Sequence, residues 1–385
     1  MGLPLAILAA QSGHNVFGID MDESKVLAIN QGVSPIEDLS NNLLAKVLKS
    51  NHYRATTNYK DVEHCGTVLI CVPTPLTAGD CSDLSYLSNA ITNICSYIQK
   101  ETLIILESTV APGTTREYVV SLIEKATGNP IELYQLAFSP ERIDPRNKEW
   151  NVRNTPKLVS GLTPESCKRA FDFYSEFIEN VIVCDSLEIA ETAKLLENSF
   201  RLINISFINE IGVFCRKIGI DVNDVVRAAA TKPYGFMPFY PSLGAGGHCI
   251  PVDPIYLAEK ASNLGSPIEM IELAAKINKD MPIFFVNKAE EILGSLKGKN
   301  IIVLGVAYKP NISDTRQTPV WGLVLGLRSR GAVVTWHDDL VTNWNNENSV
   351  PLSSKYDLAI IATHHDYLDL TKLGSVPVLN TKGLV

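Results

Sequence analysis

The sequence predicts an α/β protein made of two Rossmann-like doubly wound domains, joined by a long central helix and a helical region. Three observations predict it. Short apolar strands alternate with helical patterns up to about residue 180, one helical pattern runs unbroken over 186–217, and a second strand–helix alternation starts after Lys297-Gly298-Lys299. Such alternation needs crossover helices, which argues for mostly parallel sheets. The expected division is a cofactor domain over 1–180, a helical domain over 181–290 and a second Rossmann-like domain over 291–385.

Residues 2–12 read as an amphipathic helix closed by Gly13, followed by a short apolar strand over 15–20 that ends in Asp20. Buried strands are expected over 67–72, 102–106 and 134–138, separated by helices over 84–100 and 114–126. Asp185 and Ser186 are cap residues for the long helix, and Gly219 closes it. Lys194, Asn198 and Arg201, spaced i, i+4, i+7, share one face of it. A polar stripe on a largely apolar helix either is solvated or faces a partner, because an unpaired buried charge is costly. In the last third, a strand over 300–306, a helix over 320–330 and strands over 332–336 and 356–363 repeat the alternation without a glycine fingerprint. The polar loop 309–316 follows the first of these strands, at the end where open α/β sheets bind ligands.

Composition excludes several classes. With 385 residues, 45% hydrophobic and 20% charged, the chain is globular rather than disordered. Its apolar runs fall short of the roughly 20 residues a membrane helix needs, so no membrane crossing is expected. A net charge of −8 gives no footprint for nucleic acid. The eight cysteines are scattered, without CxxC pairs or histidines at zinc spacing, and no basic-then-apolar signal region opens the chain. These features point to a reduced, cytoplasmic protein without a metal; the adjacent His364 and His365 point apart at a strand end.

The stretch Gly244-Ala245-Gly246-Gly247-His248-Cys249-Ile250-Pro251-Val252-Asp253 carries the chemistry. Glycines let the backbone approach a ligand while a thiol and a carboxylate are held at fixed separation. Cys249 alone would be a small buried hydrophobe; with the glycines and Asp253 it reads as a nucleophile. A dinucleotide fold needs a strand, G-x-G-x-x-G, a helix, and an acidic residue about 20 positions on. Gly2 can serve as the third glycine, and Asp20 is placed for a ribose diol; a carboxylate there repels a 2′-phosphate, which favours NAD over NADP.

Gly2-Leu3-Pro4-Leu5-Ala6, Val72-Pro73-Thr74-Pro75, Glu107-Ser108-Thr109-Val110, Ser139-Pro140-Glu141-Arg142, Glu197-Asn198-Ser199-Phe200-Arg201, the Cys249 stretch, and Gly305-Val306-Ala307-Tyr308-Lys309-Pro310 through Asp314-Thr315-Arg316 fall in an order that resembles the UDP-glucose/GDP-mannose dehydrogenase family. The segment 231–241, with His248 and Ile250 flanking the cysteine, is similar to the subgroup that oxidises UDP-N-acetylglucosamine. The resemblance implies a two-step, NAD-dependent oxidation of the sugar C6 alcohol to a carboxylate, for surface polysaccharide. Cys249 would trap the aldehyde as a thiohemiacetal and then carry a thioester. Lys194 would stabilise developing oxyanions with Asn198 beside it, Asp253 would help activate water, and Thr109 and Glu141 would lie at the nicotinamide and the reacting sugar.

The resemblance further implies Gly2, Asp20, Thr74, Pro75, Thr109 and Arg316 for NAD. For the UDP-sugar it implies Glu141, Arg142, Lys194, Asn198, Arg201, Tyr240, Gly246, Tyr308 and Lys309, with a homodimer or higher homo-oligomer as the assembly. Lys382, in Asn380-Thr381-Lys382-Gly383 where relatives often have Asp and Arg, is a weaker substrate contact. The family's first strand and first two glycines do not precede Gly2, so the sequence is expected to start late in the fold, the alternative being poor NAD binding. UDP-N-acetylmannosamine or UDP-N-acetylgalactosamine as substrate, and a non-catalytic nucleotide-sugar binding protein, stay open. A cysteine hydrolase is weaker, since no histidine partner is placed for it.

Overall fold

A computed structural model describes residues 2–36, 39–144 and 146–383. Two compact units divide the chain, 1–196 and 197–385.

The first unit opens with α1 (Gly2–Gln11), β1 (Val16–Ile19), α2 (Glu23–Asn30), α3 (Asn41–Lys49) and β2 (Tyr53–Thr56). It continues through β3 (Thr67–Ile70), α4 (Ser85–Cys95), β4 (Leu103–Leu106), a π-helical turn at Thr115–Val119 leading into α5 (Val120–Thr127), β5 (Gln135–Phe138), β6 (Lys157–Gly161), α6 (Pro164–Ser175) and β7 (Val181–Val183). β1 and β2 form a parallel pair, and β3-β4-β5-β6-β7 a five-stranded sheet whose β5–β6 pairing is antiparallel. Cap chemistry sets several helix starts: Asp22 accepts the amides of Ser24 and Lys25, and Thr163 and Ser166 form a reciprocal capping box with Pro164 at the first position.

Two expectations change here. α1 is not amphipathic: Leu5, Leu8 and Ala9 pack with the β4–β5 layer, while Ile7 and Ala10 pack with Tyr53 and Ala55 of β2. A helix covered on both sides is apolar all round. The strand expected over 67–72 ends at Ile70 and is half-buried for most of its length, because β3 is an edge strand. Full burial belongs to β4, which has a neighbour on each side.

α7 (Leu187–Lys217) begins in the first unit and ends in the second. There follow α8 (Val222–Ala229), α9 (Asp253–Asn263), α10 (Glu269–Leu293), β8 (Asn300–Leu304), α11 (Val320–Ser329), β9 (Val333–His337), the short pair β10 (Asn343–Trp344) and β11 (Glu347–Asn348), β12 (Leu358–Ile361) and β13 (Val378–Asn380). The four long strands lie in the order β13-β12-β8-β9, all parallel. The chain leaves β8 toward β9 and returns to pair β12 on the other side, so the switch of direction falls between β8 and β12. Ile301, Val303, Leu358 and Ile360 form one core with Phe285, Val286, Leu323 and Leu327 of α10 and α11.

α10 and α11 approach closely because Gly322 and Gly326, one turn apart, face Pro282 and Val286. A Cβ at 326 would lie 2.7 Å from Val286 Cγ2. Gly326→Ala therefore overpacks the contact at a cost of about 1–3 kcal/mol, which outweighs the gain of about 1 kcal/mol in helix propensity. A lower urea midpoint is expected; a rise would show that the helices part without cost.

Candidate active-site elements in the two units

In the second unit the glycine-rich loop is threaded against the loop that follows β8. A Cβ on Gly246 would lie 2.8 Å from Tyr308 Cβ and from Pro319 Cδ, and one on Gly247 2.9 Å from the Tyr308 ring. Only glycine allows this approach, and Gly244 and Gly247 also have positive φ, at 130° and 82°. Asn278 of α10 holds the loop from its other side: its Oδ1 accepts the Ala245 amide at 2.6 Å and its Nδ2 donates to the Ala245 carbonyl at 3.0 Å. The Gly247 amide donates to the Arg316 carbonyl at 3.1 Å.

Cys249, half-buried, occupies the turn that opens α9. Its carbonyl accepts the amides of Val252 at 3.1 Å and Asp253 at 2.8 Å. Asp253, 3% exposed, is the first residue of α9, and its Oδ2 accepts Asn198 Nδ2 at 2.6 Å. The backbone bond from Asp253 to Cys249 and the side-chain bond from Asn198 to Asp253 thus tie the cysteine turn to the start of α9 and to α7. Tyr308 and Lys309 lie half-buried after β8, and the Tyr308 amide donates to the Asp314 carbonyl at 3.0 Å. Arg316 is exposed and grips Asp314, its Nε 3.0 Å from both carboxylate oxygens. Burial would raise the Asp314 carboxyl, but the Arg316 hydrogen bonds outweigh it and hold the group below its ordinary range.

Two of the predicted substrate residues are exposed. Arg201 is exposed, whereas Lys194 and Asn198 are 9% and 5% exposed, so the stripe on α7 does not continue to its third member. Equal angular position on a helix gives equal burial only where the covering element is as long as the stripe. Tyr240, 49% exposed, is likewise outside the buried cluster around Cys249. The Lys382 carbonyl accepts Asn223 Nδ2 at 3.2 Å.

In the first unit predicted cofactor and substrate residues follow the carboxyl ends of parallel strands, the end at which α/β sheets bind ligands. Asp20 follows β1, Thr74 and Pro75 follow β3, Thr109 follows β4, and Glu141 and Arg142 follow β5. Thr74 Oγ1 donates to the Thr109 carbonyl at 2.8 Å, and Ser108 Oγ to the Val72 carbonyl at 2.7 Å, which ties these loops together. Asp20 Oδ1 accepts the Asp22 amide at 2.9 Å and is otherwise turned to solvent. Beside it the Tyr53 phenol is pushed up to about 12, by burial first and then by the Asp20 charge. Gly2 begins α1, where a Cβ would touch Cys71 Cβ at 3.4 Å. A helix start, an acidic residue after β1 and threonines after β3 and β4 are groups that fit a dinucleotide.

Glu141 is 8% exposed, with Oε1 accepting the Ile143 amide at 2.7 Å, and Arg142 donates to the Pro156 carbonyl at 2.8 Å. On α7, Glu191 accepts the Gly113 and Thr115 amides at 2.6 and 2.9 Å and the Thr115 hydroxyl at 2.6 Å, which fixes the helix start that follows the Thr109 loop. Beneath the Glu141 loop lies a buried ion pair that sequence reasoning missed: Lys157 Nζ is 3.0 Å from Glu107 Oε1, with side chains 7% and 2% exposed. The Tyr174 hydroxyl also bonds Glu107, and Lys157 Nζ sits 5.1 Å from the centre of the Tyr174 ring. Burial alone would lower the Lys157 ammonium, but the Glu107 and Glu141 carboxylates outweigh it and raise it. Nothing in the spacing of 107, 157 and 174 announces this cluster; only the strand order β4-β5-β6 assembles it. Among the described residues, no group of three or more His, Cys, Asp or Glu has metal-site geometry, and no helix is long and apolar enough to cross a membrane.

A parallel-stranded unit with a dinucleotide edge, and a second unit carrying a cysteine turn beside a switch-point loop, define an oxidoreductase built for NAD and a nucleotide-linked substrate. The chain belongs to the UDP-glucose/GDP-mannose dehydrogenase family: residues 1–178 match its NAD binding domain, 188–280 its central domain and 302–383 its UDP binding domain. It is an NAD-dependent UDP-sugar dehydrogenase. It is 32% identical over 378 residues to UDP-N-acetyl-D-glucosamine 6-dehydrogenase of Pseudomonas aeruginosa, covering 95% of this chain and 88% of that protein. Identity to UDP-N-acetyl-D-mannosamine dehydrogenase of Pyrococcus horikoshii is 33% over 372 residues, covering 95% and 87%. A solved structure of the UDP-D-ManNAc dehydrogenase from Pyrococcus horikoshii superposes with a TM-score of 0.92 at 30% identity, over 100% of this chain and 93% of that one. A UDP-glucose dehydrogenase from Pyrobaculum islandicum gives 0.91 at 25% identity, over 99% and 91%.

Lys157→Met would leave Glu107 buried without its cation, and should lower stability by about 3–5 kcal/mol. Lys157→Met combined with Glu107→Leu should recover most of that loss, since an apolar pair removes both desolvation penalties. Urea unfolding of the single and double variants checks the coupling; equal losses in both would show that the ion pair is not what holds this region.

Proposed function

We propose that the protein oxidises the C6 alcohol of a UDP-N-acetylhexosamine, UDP-N-acetylglucosamine in the first instance, to the uronate used in surface polysaccharide. The observation that carries this reading is the Cys249 turn, with Asp253 at its close and Asn198 bonded to Asp253. It suits a substrate carbon that must be held through two oxidations. In this reading 1–180, 181–290 and 291–385 are the cofactor, helical and UDP-sugar parts of a cytoplasmic enzyme.

Gly2, Asp20, Thr74, Pro75, Thr109 and Arg316 would hold NAD, and two NAD molecules bound one after the other would each take one hydride from C6. The thiolate of Cys249 adds to the C6 aldehyde, forming a C–S bond, and keeps the carbon covalently bound to the thioester stage. Water then adds to the thioester carbonyl, the C–S bond breaks, and sulfur leaves as thiolate while the carboxylate is released. Asp253 takes a proton from that water, and Glu141 orients it. The Lys194 ammonium and the Asn198 amide donate to the oxygen on which negative charge develops. Gly246, Tyr308 and Lys309 take the UDP, with Arg142, Arg201 and Tyr240 as further substrate contacts; a lysine serves a diphosphate as a point charge.

A homodimer or higher homo-oligomer accompanies this reading. It is supported by the solvent-facing apolar row on α7, where Phe200, Phe207 and Phe214 are 44%, 58% and 58% exposed at helical spacing. UDP-N-acetylmannosamine is the second reading for the substrate, favoured by the likeness to the Pyrococcus horikoshii enzyme.

Incubation with a panel of UDP-sugars should yield two NADH per sugar consumed, fastest with UDP-N-acetylglucosamine. Tight UDP-sugar binding with no NADH would make the protein a binding module instead. Cys249→Ser should leave at most slow or partial turnover, because a serine alkoxide is scarce near neutral pH. Wild-type rates in a folded serine variant would remove the covalent step. Lys194→Ala should lower kcat more than it raises KM, by about 2.7–4 kcal/mol of transition-state stabilisation. Weaker UDP-sugar binding at unchanged kcat would make Lys194 a substrate clamp.

A further inference from the structure

The buried pair His365–Asp338 lies at the switch point of the second sheet, and neither residue has a part in the oxidation described above. Both side chains are fully buried, with His365 Nε2 3.1 Å from Asp338 Oδ2. On its other nitrogen, Nδ1, His365 accepts the backbone amide of Asn311 at 2.9 Å. That bond settles the tautomer: Nδ1 accepts, and Nε2–H donates to Asp338.

Asp338 is itself fixed by three amides, those of Leu340 and Val341 on Oδ1 at 2.9 and 3.2 Å and that of Val306 on Oδ2 at 2.9 Å. The chain of bonds therefore begins at Val306 and ends at Asn311, the two ends of the loop that carries Tyr308 and Lys309. Asn311 has a positive φ of 62°, a conformation that a non-glycine residue keeps only when its surroundings hold it. Its side chain is held as well, donating to Asp366 Oδ2 at 2.7 Å and accepting the Asp366 amide at 3.0 Å. Thr363 Oγ1 donates to the Ala307 carbonyl at 2.6 Å, and a Cβ on Gly305 would lie 2.3 Å from the Thr363 carbonyl. The loop after β8 is thus clamped to the loop after β12, the pair of strands between which a doubly wound sheet takes its ligand.

We infer that His365 is a positioning residue for UDP: by accepting the Asn311 amide it sets the backbone of 305–311, so that Tyr308 and Lys309 meet the nucleotide in one preformed arrangement. A loop ordered before binding spares the ordering cost at binding. This role presupposes that Tyr308 and Lys309 take the UDP, as proposed above.

Two isosteric variants separate this role from general stability. In His365→Asn the amide oxygen falls near the position of Nδ1 and still accepts from Asn311, while the donor to Asp338 is lost. In His365→Gln the terminal amide still reaches Asp338, but no acceptor stands where Nδ1 was. Both should lower the unfolding midpoint to a similar degree. Calorimetric titration with UDP itself should give a Kd within about threefold of the parent for His365→Asn and on the order of tenfold weaker for His365→Gln, one lost hydrogen bond being worth about that factor. Faster amide exchange confined to 305–311 should accompany the weaker binding. Equal UDP affinity in the two variants, or loss that tracks the unfolding midpoint, would overturn the positioning role while leaving UDP binding intact. No UDP binding by the parent would overturn the reading of Tyr308 and Lys309 and this role with it. If the glutamine variant does not fold, the parent decides: the Asn311 amide must be among the slowest to exchange within 305–311, and rapid exchange there overturns the proposal.

Discussion

In the second unit the junction of α7 with the turn that opens α9 rests on the buried carboxylate of Asp253. A carboxylate at 3% exposure is tolerated only if its oxygens are satisfied, and the 2.6 Å bond from Asn198 does this while binding α7 to the start of α9. The backbone amide of the same aspartate donates to the Cys249 carbonyl, so the backbone of the cysteine turn is tied to the start of α9. One residue thus joins α7, α9 and the turn before α9.

The same economy recurs where the loops that carry candidate site residues are braced from beneath by buried polar groups. Glu191 receives two amides and a hydroxyl below the Thr109 loop, Lys157 and Glu107 pair below the Glu141 loop, and Asp338 with His365 spans the loop of Tyr308 and Lys309. Loops at the carboxyl ends of strands are held by few main-chain bonds of their own, so side chains from the sheet interior supply the missing constraints. Each brace is costly to break singly, because the partner left behind stays buried. Close backbone approach supplies the remaining order: Gly246 and Gly247 against Tyr308, and Gly322 and Gly326 against α10, occupy places that a side chain would fill.

Much of this was legible in advance because it is written locally. The alternation of short apolar runs with helical periods announces parallel sheets whatever the long-range contacts are, and β4, β5, β8 and β12 fall within the expected segments. Gly13 and Gly219, placed as helix stops, have φ of 98° and 74°. The order of motifs from Gly2 to Arg316 carries the family, which the matches to its NAD binding, central and UDP binding domains establish. The pairing of β1 with β2 apart from the five-stranded sheet was less legible, as was the antiparallel entry of β6, since strand order is a property of the assembled layers.

The amino-acid sequence by itself determined the class of fold, the family with its NAD cofactor, and the four-residue spacing of a cysteine and an aspartate, because each is set by patterns along single segments. Tertiary structure alone decided which side chains are buried and with what. Arg201 shares a helical angle with Lys194 and Asn198 yet stands exposed, while in the interior Lys157 holds an ion pair with Glu107 and His365 a hydrogen bond with Asp338. Periodicity states which residues face the same way. Whether another element lies in that direction depends on strand order and crossover, and these are fixed only when distant segments pack.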